Sequence, residues 1–144
     1  LRFIVIDTNP LNRIVHLTRT LTWIQEAINT TGDRHIIVMM HHPVLSAAKG
    51  RFNPLIYAFL RHPLGKTDLV ISGHDHSYMR HMPFVVLNSA GKPKTPKQYK
   101  HLTIEEQAIV PVYSILSFPT HQTPILRTYR ISDGYMIDSC YVHH

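Results

Sequence analysis

Leu69-Val70-Ile71-Ser72-Gly73-His74-Asp75-His76 is the stretch whose reading decides the fold of this chain. A short apolar run breaks off at a glycine, and two histidines follow at once around an aspartate. Apolar runs of that length with β-branched residues read as buried strands. The same arrangement occurs earlier, where Ile36-Ile37-Val38-Met39-Met40 gives way to His41-His42-Pro43. In open α/β sheets the loops after such strands converge on a crevice where ligands bind. Histidine is the commonest metal ligand. Two histidine clusters at neighbouring strand ends therefore outline half of a metal centre, and Gly73, having no Cβ, is expected to let the backbone turn sharply into it.

Working outward, Arg2 to Ile6 reads as another strand. Leu17, Leu21, Ile24 and Ile28 recur at helical spacing, which predicts a helix over Leu17 to Ile28 with Trp23 packed beside the stripe in the core. Thr18 or Thr20 is the expected cap, and Thr31-Gly32-Asp33 the stop. Pro54 suits the first turn of a second helix, Leu55 to Leu60, with Tyr57 and Phe59 packing from it and His62-Pro63-Leu64-Gly65 ending it. With His35 to Met40 and Asp68 to Ile71 as strands, the order strand, helix, strand, helix, strand predicts an α/β fold with a parallel or mixed sheet under helical cover. The second half reads as strands at Phe84 to Leu87, Pro111 to Leu116, Leu126 to Ile131 and Tyr135 to Val142, the last two joined by Ser132-Asp133-Gly134. Leu102 to Ala108 is expected to be a short helix with Thr103 as cap and Glu106 reaching back to it. No internal repeat or linker divides the chain, so residues 1–144 are read as a single domain.

Composition sets bounds on function. The chain has 144 residues, 44% hydrophobic and 17% charged, which places it among globular proteins with one core burying roughly 70% of the unfolded surface. No run of about eighteen apolar residues is present, so no membrane-spanning helix is expected. A single cysteine, Cys140, excludes an internal disulfide. The net charge is +6, part of it in Lys92, Lys94, Lys97 and Lys100 within Gly91 to Lys100. That stretch reads first as a solvated loop, and second as a loop that draws phosphate-bearing substrates toward the site. Nucleic acid is a distant alternative, because no aromatic residue interleaves the lysines to stack on bases. The other histidines lie in no motif and read as surface or locally bonded groups; His143 and His144 are assigned no function. The chain begins directly in a strand-like run, Leu1-Arg2-Phe3, which reads as a fragment and leaves the compartment open.

His41-His42-Pro43-Val44 and Gly73-His74-Asp75-His76, each behind a strand, resemble the last two signature motifs of the calcineurin-like metallophosphoesterases, which include the purple acid phosphatases. Asp68-Leu69-Val70, the opening Phe3-Ile4-Val5-Ile6-Asp7-Thr8-Asn9 and the Leu21-Thr22-Trp23-Ile24 helix resemble the middle of the same family, so the likeness covers about residues 1 to 90 well and the rest loosely. It implies part of a β-sandwich flanked by helices, with the N-terminal half absent. It implies His41 and His74 on one metal, His76 on a second, and His42 as a catalytic-site residue lining the substrate side or supporting a ligand by a hydrogen bond. The family's earlier Asp-x-His, Gly-Asp and Gly-Asn-His motifs, which supply the bridging carboxylate, do not occur here. Asp7 matches a family position that is not usually a ligand, and Asp75 is expected to orient the flanking histidines. The implied activity is hydrolysis of phosphomonoesters or phosphodiesters by hydroxide attack on phosphorus at two metal ions (Fe, Zn or Mn), with the chain alone holding one ion or none and being inactive. The alternative is a non-catalytic metal-binding fragment or module. A sheet left uncovered would favour a homo-oligomer, and the resemblance to acid phosphatases points to a secreted or periplasmic location.

Overall fold

Three apolar runs pair in parallel: β1 (Arg2–Ile6), β2 (Ile36–Met40) and β3 (Leu69–Ser72), with Ile6 opposite Met40 and Met40 opposite Ser72. In the computed structural model, which describes residues 1–9, 14–30, 32, 35–46, 48–88, 92, 94, 104–120 and 122–142, these strands begin a six-stranded sheet. β5 (Phe84–Val86) lies parallel to β3; β4 (Tyr78–His81) runs antiparallel to β5, and β6 (Glu106–Ala108) antiparallel to β4. A second sheet is purely antiparallel and consists of β7 (Val112–Ser117), β8 (Ile125–Arg130) and β9 (Met136–Tyr141). Two helices, α1 (Ile14–Asn29) and α2 (Pro54–Leu64), complete the mixed α/β architecture.

Because strand side chains alternate faces, the large sheet builds two cores. Ile36, Val38 and Met40 of β2 face the helices and join Ile4, Ile6, Val70, Leu17, Ile24, Ile56, Leu60 and Leu64. On the opposite face Ile37, Leu69, Tyr78 and Val85 meet Val112 and Leu126 of the second sheet and Val142 just past its last strand. The layers are thus helices, large sheet, small sheet. The small sheet leaves the β1 end uncovered: Phe3 is 55% exposed, Val5 69% and Met39 41%.

The seam between the sheets carries a charged node. Arg80 Nε donates to Asp138 Oδ2 at 2.6 Å and Arg80 Nη2 to Oδ1 at 3.0 Å, while Tyr78 Oη donates to the same carboxylate at 2.5 Å. Arg80 Nη1 also pairs with Glu105, whose other oxygen accepts from the Met82 N–H at 3.1 Å. Burial raises the Asp138 carboxyl, but the bonds from Arg80 and Tyr78 outweigh it and hold the group below its ordinary value. Tyr78 and Arg80 are strand residues that fasten two layers.

Several expectations are corrected. α1 begins at Ile14, so Thr18 and Thr20 are inside it; Thr18 Oγ1 donates back to Val15 O at 3.0 Å rather than capping. Trp23 is 49% exposed, about 100° round the helix from Ile24, and not core. α2 runs on through Pro63 to Leu64, both buried, and closes where Gly65 N–H reaches Arg61 O at 2.9 Å; its cap is Asn53, whose Oδ1 accepts from Leu55 N–H at 3.0 Å and Ile56 N–H at 3.2 Å. Glu106 to Ala108 is strand β6 and not helix, because the β4 edge offers it a ladder and Glu105 is drawn to Arg80. The strands of the second half divide between the sheets: Phe84 to Val86 joins the large one, while β7, β8 and β9 form the small one. Leu102, Thr103, Thr31, Asp33, Lys97, Lys100, His143 and His144 lie outside the described residues.

Candidate metal centre

Parallel register decides what meets at the strand ends. Ile6, Met40 and Ser72 stand side by side, so the loops that carry Thr8, His42 and His74 leave the sheet at one level. The structure brings His41, His42 and His74 together, with one ring nitrogen of each lying within 4.8 Å of the others. His41 Nε2 and His74 Nδ1 are 3.2 Å apart. The rings of His42 and His74 have centroids 4.5 Å apart, those of His41 and His42 4.8 Å.

Each imidazole is held by the loops. The His42 N–H donates to Thr8 Oγ1 at 3.0 Å, and that oxygen stands 2.8 Å from His42 Nδ1. With the proton on Nδ1, His42 donates to Thr8 and keeps Nε2 as its unprotonated nitrogen. The Gly73 N–H donates to His41 O at 3.1 Å, tying one motif to the other. His74 and His76 take left-handed backbone, φ 69° and 57°, a conformation that costs about 1–3 kcal/mol at a non-glycine residue. The sharp turn therefore falls on the two histidines and not on Gly73, where an added Cβ would meet His41 Nδ1 at an ordinary 3.9 Å.

Asp75 lies between the two histidines of the turn. It is fully buried and accepts from Ser46 Oγ at 2.8 Å and Ala48 N–H at 3.2 Å through Oδ2. It anchors the 73–76 turn to the loop after β2, and so positions its neighbours through the backbone. His76 stands apart from the trio: its Nδ1 lies 3.1 Å from Lys92 O. That bond fixes the ring and leaves Nε2, the arrangement in which a ligating histidine is commonly held from behind. Asp7 is exposed, with Oδ1 accepting from the Asn9 N–H at 2.9 Å, and is not among the clustered groups.

Electrostatics favour neutral rings. Burial lowers the His74 pKa to about 4, helped by His42, Arg51, His41 and His76. Burial, His41 and Arg51 lower that of His42, with Asp7 opposing. A neutral imidazole is the form that ligates a metal. Two nitrogens on a tetrahedral zinc at ~2.0–2.1 Å stand about 3.3 Å apart, close to the 3.2 Å between His41 and His74. The donor set fits one borderline ion such as zinc. No carboxylate joins the trio among the described residues, so the set does not by itself fit a closely spaced pair.

Two participants escaped the sequence reading. Thr8 carries no signal in the sequence beyond a hydroxyl after a strand. Arg51, whose Nη1 donates to His74 O, had one usable sign: Gly50 just before it, which takes φ 80° and turns the loop back.

Residues 3–78 match the calcineurin-like phosphoesterase family, and the chain belongs to that family. The family is generally dependent on two metals. No curated protein matches the chain. Among solved structures it is similar to GAP50, the anchor in the inner membrane complex of Plasmodium, at 17% identity and TM-score 0.76, covering 98% of this chain and 48% of that one. It is similar to the purple acid phosphatase PPD1 from yellow lupin (Lupinus luteus) seeds at 18% identity and TM-score 0.76, covering 97% of this chain and 30% of that one. The fold is that of the metallophosphoesterases, and this chain spans less than half the length of both relatives.

Proposed function

We propose that this chain contributes the histidine half of a metal-dependent phosphoric ester hydrolase acting on phosphomonoesters or phosphodiesters. The observation that carries the reading is the convergence of three imidazole nitrogens within 4.8 Å at the ends of adjacent parallel strands. His41 and His74 would hold one ion, with His42 beside them as third nitrogen or facing the phosphate. His76, steadied by Lys92 O, would offer Nε2 to a second ion. Bound metal supplies a water that ionises near pH 7 and positive charge for phosphoryl oxygens. The chain's own residues do the rest: Thr8 fixes the His42 ring, and Asp75 keeps the His74 turn in its strained shape. The carboxylates that hold a pair of ions together have no counterpart in the trio, so the chain alone is expected to be inactive. In a protein that carries this chain with the remainder of such a domain, His41→Ala and His74→Ala should each lower p-nitrophenyl phosphate turnover about 100-fold or more, and a chelator should abolish it. Turnover that survives both would overturn the reading.

A second reading is non-catalytic. It is favoured by the absence of a carboxylate from the described cluster and by an equal structural likeness to an anchor protein. On that reading metal binds without conferring hydrolysis in any longer form of the protein.

A further inference from the structure

One cation at the site is unused by the reading above. Arg51 closes a tight turn in which Gly50 takes φ 80° and the Arg51 N–H donates to Ala48 O at 3.3 Å. The turn is bound to the histidine loop twice, through Asp75 to Ser46 Oγ and Ala48 N–H, and through Arg51 Nη1 to His74 O. The guanidinium is held at the His74 carbonyl, and its charge acts on the His42 and His74 rings, which lie 4.5 Å apart. Among the described residues, the bond to His74 O is the one hydrogen bond of its side chain, and no carboxylate forms an ion pair with it. A guanidinium has five N–H donors in a planar fork, and a partly buried charge without a counter-ion is unfavourable until an anion arrives. Asp7, an acid whose charge acts on His42, accepts from the Asn9 N–H of its own loop.

Resting on the phosphoesterase reading, we propose that Arg51 selects the substrate, gripping the terminal phosphate of a phosphomonoester in preference to the bridging phosphate of a diester. A terminal phosphate carries close to two charges at pH 7 and three free oxygens. A diester offers one charge and two oxygens. A fork of donors beside the ligand cluster discriminates between them by both charge and bidentate geometry.

The test is titration of the zinc-exposed chain, followed by calorimetry, with inorganic phosphate and with dimethyl phosphate. Wild type, Arg51→Gln and Arg51→Lys are compared, zinc content and thermal melting being measured on the same samples. Arg51→Gln should weaken phosphate binding about 10-fold or more and dimethyl phosphate much less, with zinc and melting unchanged. Arg51→Lys should fall between, since lysine keeps the charge and loses the fork. Unchanged phosphate affinity in Arg51→Gln, equal losses for both anions, loss of zinc together with phosphate, or no phosphate binding by wild type would each overturn the proposal. If wild type holds no zinc, the same comparison on the metal-free chain decides Arg51: selective weakening of phosphate supports it, no change overturns it, and the phosphoesterase reading is decided separately by turnover in the longer protein.

Discussion

Two polar clusters sit at opposite ends of one stretch of chain, and they are built on opposite principles. Around His41, His42 and His74, groups of one sign or none crowd together; Arg51 adds charge, and the backbone is strained at His74. Around Arg80, Asp138, Tyr78 and Glu105, every charge faces its opposite and the bonds are short and numerous. The second cluster is complete as it stands and holds two sheets together. The first gathers donors of one kind without a balancing charge among the described residues, the arrangement expected of a binding site more than of a support. Strand ends of a parallel sheet favour the first arrangement, because their loops converge without pairing. The inter-sheet seam favours the second, because a charge buried there without a partner would unfold it.

The largest effect should come from breaking the balanced cluster. Asp138→Ala removes the carboxylate that Arg80 and Tyr78 share, and should lower unfolding free energy by about 3 kcal/mol or more in a urea titration. The folded fraction should bind zinc as wild type does; loss of both together would erase the distinction between the clusters. Breaking the other cluster should do the reverse. His74→Gly removes a ligand and relieves the left-handed backbone, so metal affinity should fall about 100-fold while stability holds or rises by about 1 kcal/mol. A clear loss of stability would mean that the trio is structural.

Acid separates the clusters further. The His74 pKa is lowered to about 4 from 6.5, so the unfolded metal-free chain takes up more protons there between those values. Stability should decline as pH falls from 6.5 toward 4, and His74→Ala should flatten that decline. The Asp138 value is depressed below 3.8, so its contribution is full above 3.8 and lost as pH falls through the lower folded value; Asp138→Asn should flatten only that acid limb. A stability profile from pH 2 to 7 for the three proteins checks both windows. The smallest effect belongs to Gly73→Ala, whose Cβ would sit 3.9 Å from His41 Nδ1: melting should change by less than about 1 kcal/mol and zinc affinity little. A large loss would show that the turn is strained at 73 as well.

Much of this was legible in the chain. The strands of the first half carry β-branched runs that end at histidines, so the parallel strands followed from the residues, and the two motifs singled out His41, His42, His74 and His76 as candidates. His42 joins His41 and His74 because Thr8 holds it there, a contact between positions that sequence keeps far apart. β6 was misread for a related reason: Thr103-x-x-Glu106 has the local pattern of a cap, while its strand pairing comes from the β4 edge. Trp23 was placed in the core by adjacency to Ile24, although one position is a large rotation on a helix. Arg51 lay in no motif. Its importance comes from the turn that carries it back to His74, and turns that depend on a distant buried aspartate leave only a glycine as their trace.

The central claim is that the trio is a preorganised cation site. The most direct measurement is metal content per chain by elemental analysis, after exposure to zinc and removal of the excess, for wild type and His74→Ala. One ion per wild-type chain and none in the variant is the expected result. No retained metal in wild type, or the same content in both, would contradict it.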